Sequence, residues 1–256
     1  MSKTNDPPVA AAPELHASRV CVVGTGRMGT ALAHRLRAAG VNVVGPFGRG
    51  ASGEGADIVL LAVPDAQISA AAALIARGPA VGHLSGATGL DVLAPHPAFS
   101  LHPLTTVVRP EHVFSGGYAA VDGSSEQTVR VAEQLAAALE LRVFRVREED
   151  RTAYHAAAAI ASNFLVTVEG LAEALAATAG VPRATFVPLV RAAVDNWASN
   201  GAASALTGPI ARGDVATVAK HRRAIQERIP DALPLFDALA EATQRLAIAP
   251  QSGETP

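Results

Sequence analysis

The sequence has few aromatic side chains: one Trp, two Tyr and seven Phe in 256 residues. Its core must therefore be made of small aliphatic groups, and hydrophobic residues, many of them alanine, make up 49% of the chain. Cysteine is scarcer still. Cys21 stands alone inside an apolar run, so no internal disulfide can form, and a reducing, cytoplasmic setting is expected. Excess charge is also missing. With 21 Lys and Arg against 23 Asp and Glu, the net charge is -2. No basic field is available to hold a nucleic-acid backbone, so nucleic acid is not expected as a partner. No stretch reads as an apolar run of roughly 20 residues, the length that spans a bilayer, so no membrane partner is expected either. The segment Met1 to Pro13 carries Lys3, Asp6, Pro7 and Pro8 and lacks the apolar centre of a secretory leader. No metal-ligating constellation is read.

What is present is an alternation of short apolar strands and helical stretches. Strands are predicted at Arg19 to Val23, Val41 to Val44, Ala56 to Val63, Ala80 to Leu84, Phe99 to Leu101, Tyr118 to Val121 and Val143 to Val146. Helices are predicted at Thr30 to Ala39, Ala66 to Ala76 and Glu126 to Glu140. Apolar strands with little polar alternation are buried on both faces, which marks a parallel, doubly wound α/β sheet. Strand signals stop after about Arg147. Helices are then predicted over Arg151 to Ala179, Thr185 to Ser199, Val215 to Ile229 and Ala232 to Ala247. The first of these carries one stripe at Tyr154, Ala158, Ala161, Leu165, Val168, Ala172 and Leu175. Asp214 reads as a helix cap and Pro230 as a stop.

Gly24-Thr25-Gly26-Arg27-Met28-Gly29 is a G-x-G-x-x-G placed directly after the first strand and at the opening of a helix. That context makes it a dinucleotide-binding turn of the Rossmann type. Gly24 allows the tight turn, Gly26 lets backbone approach a pyrophosphate, and Gly29 allows close helix–strand packing. The end of the second strand, Gly45-Pro46-Phe47-Gly48-Arg49, has no acid to bind ribose hydroxyls. Arg49 can instead pair with a 2′-phosphate, so NADP is expected, with NAD possible. The short Gly45 to Gly55 stretch leaves little room for the usual crossover helix. Val63 and Pro64 after the third strand and Ser85 after the fourth are expected to complete the cofactor pocket, because ligands in doubly wound sheets bind outside the carboxyl ends of strands.

The first candidate for a proton donor is His155 on the long helix, titratable near neutrality. His102, at the end of the strand Phe99 to Leu101, is the second. Asn163 is a candidate for orienting the substrate or the nicotinamide amide, with Ser162 beside it. A second polar cluster, Thr207, Arg212 and Lys220, is suited to a substrate carboxylate. Each also has a plain structural reading, as a packed histidine, a turn or a helix cap.

With these residues laid out, the chain resembles the Rossmann-like DUF2520 family, which is related to pyrroline-5-carboxylate reductase, 6-phosphogluconate dehydrogenase and ketopantoate reductase. The resemblance is carried by Gly24 to Gly29, Val59 to Asp65, Ser100-Leu101-His102-Pro103-Leu104, Tyr154-His155-Ala156-Ala157 through Ser162-Asn163, and Leu206 to Asp214. It implies an NAD(P)-binding domain followed by an all-helical domain that often forms homodimers. It also implies reduction of a small oxo or imino acid. In several of those relatives the long helix carries a Lys and an Asn four residues apart. Asn163 matches the Asn, but Ala159 stands where the Lys would be. A cofactor-binding regulator without catalysis is therefore the competing reading. The expected organisation is a disordered tail (1–17), a Rossmann domain (18–147), an all-helical dimerisation and substrate domain (148–248) and a second disordered tail (249–256).

Overall fold

Strand β1 (Arg19–Val23) shows how this sheet is built. Val20 and Val22 point into one apolar cluster, and Cys21 and Val23 into another. Strand β3 (Ile58–Leu61) repeats the pattern, with Ile58 and Leu60 on one side and Val59 and Leu61 on the other. Two-residue periodicity thus feeds two cores, one on each face, as the continuous apolar runs require. The remaining strands are β2 (Asn42–Phe47), β4 (Ala80–His83), β5 (Ala98–Pro103), β6 (Tyr118–Gly123) and β7 (Arg142–Phe144). The computed structural model describes residues 14–48 and 50–248, and the sheet has seven strands in the order β2-β1-β3-β4-β5-β6-β7. It is a mostly parallel, Rossmann-like sheet followed by a helical region.

One face is covered by α1 (Arg27–Ala38), through Ala31, Leu32, Ala33 and Leu36, and by α3 (Glu126–Ala138), through Val131, Ala132, Leu135 and Ala136. The other is covered by α2 (Ile68–Ala72), with Ile75 and Leu93. Helix α2 is five residues long, not the predicted eleven: Asp65–Gln67 form a 3-10 turn before it, and the chain turns directly after Ala72. Ser125 caps α3 in a reciprocal box with Thr128, whose amide donates to the Ser125 hydroxyl at 3.3 Å.

The expectation of an all-parallel sheet is corrected at one edge. Strand β6 runs antiparallel to β5, pairing Ser100 with Asp122 and His102 with Ala120. The connection 104–117 holds no helix, and a return without a crossover helix favours antiparallel pairing. Near the amino terminus, Leu15–Ala17 form a 3-10 turn whose Leu15 is buried, although these residues were expected in a tail. The rest of that tail and the segment 249–256 lie outside the described residues.

The described chain divides into two compact units, one ending at Ser162 and one beginning at Asn163. The predicted long helix is α4 (Arg151–Ala159), a π-helical turn at Ile160–Phe164 and α5 (Leu165–Ala177). The extra residue in the π-turn shifts the helix face, so Ala161 and Leu165 of the predicted stripe are exposed. The helical run Glu148–Ala177, 30 residues, is long and apolar enough to cross a membrane by length and composition. This corrects the expectation that no stretch reaches that length. The run was missed because His155, Ser162, Asn163, Glu169 and Glu173 interrupt it without lowering its average enough.

The second unit continues with α6 (Val187–Asn200), α7 (Ala202–Ala205), α8 (Gly208–Ala211), α9 (Val215–Arg228) and α10 (Leu233–Ile248). Among its described residues only Ala176 and Ile225 are buried.

Candidate active site

The glycine-rich turn behaves as its spacing demands. Gly24 has φ +126°, and a Cβ there would lie 2.1 Å from the Ala62 carbonyl oxygen. A Cβ at Gly29 would lie 2.0 Å from the Gly24 oxygen, so strand, turn and helix are in direct backbone contact. Gly26 is different: a Cβ there would meet nothing within 4 Å. The turn is closed on the protein side and open on the other. Helix α1 begins at Arg27 with no side-chain cap, so its first amides, from Arg27, Met28 and Gly29, face outward. Thr25 completes the loop between Gly24 and Gly26. Such an N-terminus suits a phosphate group.

Beside the turn, β2 runs further than predicted, through Gly45 and Pro46 to Phe47. Gly45 adopts φ +89°, and the Gly24 amide donates to the Phe47 carbonyl at 2.8 Å. The Arg37 side chain donates to the carbonyls of Val43 and Gly45, holding this strand end to α1. Arg49 lies outside the described residues. No helix joins β2 to β3 among the described residues. A cavity of about 260 Å³ lies there, lined by Val23, Gly50, Ala51, Val63, Gln67 and Leu74. A larger crevice, about 570 Å³, sits at the opposite ends of β3 and β4, lined by Glu54, Asp57 and Arg77 among others. That is the amino end of the sheet, away from the ligand side of such folds.

At the carboxyl ends, Pro64 leads into a 3-10 turn at Asp65–Gln67. The Ser85 hydroxyl donates to the Asp65 carboxylate at 2.6 Å and accepts the amides of Ala87 and Thr88. Ser85 is buried, so its hydroxyl braces the loop after β4 against the loop after β3. His83 lies beneath it, fully buried. The Ser85 amide donates to His83 Nδ1, which leaves Nε2 to donate to the Gly89 carbonyl at 3.1 Å. Burial holds the His83 imidazole below its ordinary pKa.

Above this brace, β5 and α4 bring three rings together. His102 Nδ1 lies 2.7 Å from the Tyr154 hydroxyl, and the His155 ring centroid is 5.9 Å from that of His102. The Tyr154 ring also stands edge-on to Phe144 at 5.6 Å. All three site residues are half-buried. Gly86 passes between the imidazoles. A Cβ there would lie 2.7 Å from His102 Cε1 and 2.9 Å from His155 Cδ2, so any larger residue would displace one of them. Burial, reinforced by the neighbouring His155, pulls His102 down to a pKa of about 4, so it is neutral at neutral pH. Burial pushes Tyr154 up to about 12.

Arg151 fixes this arrangement. It is buried at the start of α4, and it bonds Asp122 on β6 at 2.6 Å and Glu148 at 2.8 Å. Asp122 pairs with Ser100, two residues before His102, a rise of about 6.6 Å along the strand. His155 lies four residues after Arg151, about 6 Å along the helix. The ion pair ties the start of α4 to β6, the neighbour of the strand that carries His102.

The structure thus gathers Val63, Pro64, Ser85, His102 and His155 at one end of the sheet, the end where the glycine turn stands. Asn163, Thr207, Arg212 and Lys220 belong to the second unit, and Ser162 closes the first. The Ser162 hydroxyl donates to the Ala158 carbonyl at 2.8 Å, beside the π-turn. Thr207 and Arg212 flank α8, Lys220 lies on α9, and all three are exposed. Arg151 enters the cluster without having been considered, and Asp65, Gly86 and Tyr154, which the sequence sets beside Pro64, Ser85 and His155, join it with roles that the sequence did not assign. Tyr154 stood in the sequence as a stripe residue, and its adjacency to His155 was the available signal.

The comparisons agree with this architecture. Residues 118–243 match the family described as Domain of unknown function (DUF2520), so the chain carries that domain. No curated protein matches it in sequence. Among solved structures, BF3122 from Bacteroides fragilis, a candidate NADP oxidoreductase, is similar at 19% identity and TM-score 0.79, over 91% of this chain and 100% of that one. Protein TM1727 from Thermotoga maritima is similar at 22% identity and TM-score 0.78, over 90% of this chain and 100% of that one. The pyrroline carboxylate reductase of Plasmodium falciparum, solved with NADP bound, is similar at 13% identity and TM-score 0.60, over 91% of this chain and 100% of that one. At these identities the likeness establishes the fold.

Proposed function

From a chain that carries a DUF2520 domain on a Rossmann-like sheet, we propose an NADP-dependent reductase of a small oxo or imino acid. The observation that carries the reading is the pairing of an open glycine turn with a cluster of His102, Tyr154 and His155 at the carboxyl ends of the same sheet. Gly24 to Gly29 would hold the pyrophosphate, and the slot lined by Val63 and Leu74 the adenine. Arg49, with no acid at the end of β2, would take the 2′-phosphate. The cofactor supplies a hydride. The protein's part is to hold the acceptor carbon, exclude water and deliver a proton to the oxygen or nitrogen that gains charge. His155 and His102 handle that proton, and Ser162, in the same unit, is a candidate for gripping the acid's carboxylate. A small acid is the only partner required, apart from a second copy of the chain. Phe164, Leu165, Val166, Leu189 and Trp197 expose their apolar groups, and a homodimer would cover them. The buried, unpaired Cys21 accords with a reducing cytoplasm.

The test is calorimetric titration with NADPH and NADH, followed by a scan of oxo and imino acids at the nicotinamide absorbance. Tighter binding of NADPH, weakened by Arg49→Ala, supports the cofactor assignment, and equal affinities overturn it. Consumption of NADPH with one of the acids supports the reductase. Binding without consumption would instead make the chain a cofactor sensor, the reading favoured by Ala159 standing where related reductases carry a lysine.

A further inference from the structure

The geometry points to Tyr154, backed by His102, as the group that hands the proton to the substrate. This deepens the reductase reading and rests on it. The Tyr154 hydroxyl and His102 Nδ1 are 2.7 Å apart, a short hydrogen bond between side chains 52 residues apart in sequence. Both are held from behind. Arg151 locks the helix turn that carries Tyr154, and Phe144 stands against its ring. Gly86 leaves space for the imidazole that the hydroxyl meets. Tyr154 is half-buried, and its hydroxyl is fixed by its bond to His102.

The electrostatics suit a relay better than a lone imidazolium acid. A phenol pushed up to about 12 is always protonated at neutral pH, so the donor is loaded. It cannot persist as phenolate, so its proton must be replaced as it leaves. His102 is neutral, because burial and the charge of His155 hold its pKa near 4. A neutral imidazole can donate from Nδ1 while Nε2 accepts a proton from water. The step then balances. Hydride forms the new C–H bond, and the C=O or C=N π pair moves to the heteroatom. The heteroatom takes the Tyr154 proton, Tyr154 takes the proton from His102 Nδ1, and His102 Nε2 takes one from water. The groups facing His102 are Tyr154, His155 and Arg151 from α4, Asp65 after β3 and His83 from β4. His102 keeps its Nδ1–H from neutrality down to its pKa near 4, so turnover should hold steady over that range.

Two measurements on Tyr154→Phe test this. In cofactor-free protein, nitrogen NMR of the His102 ring should show one fixed tautomer in the parent and a mixture in the variant. With NADPH and an acid that the parent reduces, Tyr154→Phe should lower kcat by about 10² to 10⁴-fold at unchanged NADPH affinity. His155→Ala should cost less. A His102 tautomer indifferent to the substitution, or normal turnover by Tyr154→Phe, overturns the assignment and leaves the reductase reading standing. A parent that binds NADPH and reduces none of the acids removes that reading, and this role with it.

Discussion

The two units bury their apolar residues in different ways. In the first, Val20, Leu32, Ile58, Leu60, Phe99 and Leu135 are completely buried, and each face of the sheet has its own core. In the second, about half as long, only Ala176 and Ile225 are buried among the described residues, and large apolar groups such as Val166 and Leu189 are more than 60% exposed. The sheet unit is thus stabilised from inside, and the proposed nucleotide pocket can be rigid because its walls are core strands. The helical unit packs α8, α9 and α10 on one another through partly exposed residues, and several of its large apolar side chains face outward. Stability therefore resides in different places, and substitutions can separate the two.

The largest effect should come from the sheet core. The Phe99 ring lies against Gly82, where a Cβ would be 2.2 Å from Phe99 Cε2, so the ring fills space that no neighbour can reclaim. Phe99→Ala should cost about 3–5 kcal/mol. The single Trp, Trp197, lies in the helical unit, and both tyrosines, Tyr118 and Tyr154, lie in the sheet unit. Each unit therefore has its own optical probe. The tyrosine near-ultraviolet signal should lose its transition at lower denaturant in the variant, with Trp197 fluorescence moving less. Equal shifts would show that the units unfold as one and would break the contrast drawn above.

The second prediction addresses the surface of the helical unit. A charge placed among exposed apolar groups has little effect on a monomer but is costly in an apolar interface. Val166→Glu with Leu189→Glu should leave NADPH binding and the tyrosine signal unchanged while reducing the mass in light scattering from dimer to monomer. A parent that is already monomeric at micromolar concentration would remove the dimer, and the exposed face would need another partner.

What was legible in the sequence was local. The glycine turn could be read because its close backbone contacts admit only glycine at Gly24 and Gly29. Strand β3 could be read because Ile58 to Leu61 must be apolar on both faces. The extension of β2 through Gly45-Pro46 could not, since both residues ordinarily mark loops. Nor could the direction of β6. Apolar alternation is the same in either orientation, and only the helix-free connection decides it. The π-turn at Ile160–Phe164 leaves no compositional trace, because hydrogen-bond register within a helix is not written in hydrophobicity. Of the site, His102 and His155 were visible as titratable groups near element ends. Their meeting with Tyr154 depends on a 52-residue closure and on the Arg151–Asp122 ion pair, neither of which has a local signature.

The smallest predicted effect is the sharpest probe of the helical unit. Asp214 precedes α9, and its carboxylate accepts the Thr217 amide at 3.0 Å and the Thr217 hydroxyl at 2.7 Å. These bonds hold its pKa below the ordinary carboxylate value. An amide that would otherwise lack an intrahelical partner is thereby satisfied at the start of a 14-residue helix. Asp214→Ala should lower the stability of the helical unit, and Asp214→Asn, which keeps an acceptor oxygen, should lower it less. The sign with pH follows from the depressed pKa. The carboxylate's contribution is present above the unfolded value, near 4, and is lost as pH falls through the folded one. If such local bonds help to hold the helical unit, the loss should appear in the Trp197 transition and leave the tyrosine transition where it was. A variant that unfolds like the parent at both probes would mean that α9 is secured by packing alone, and the contrast between the units would narrow to their surfaces.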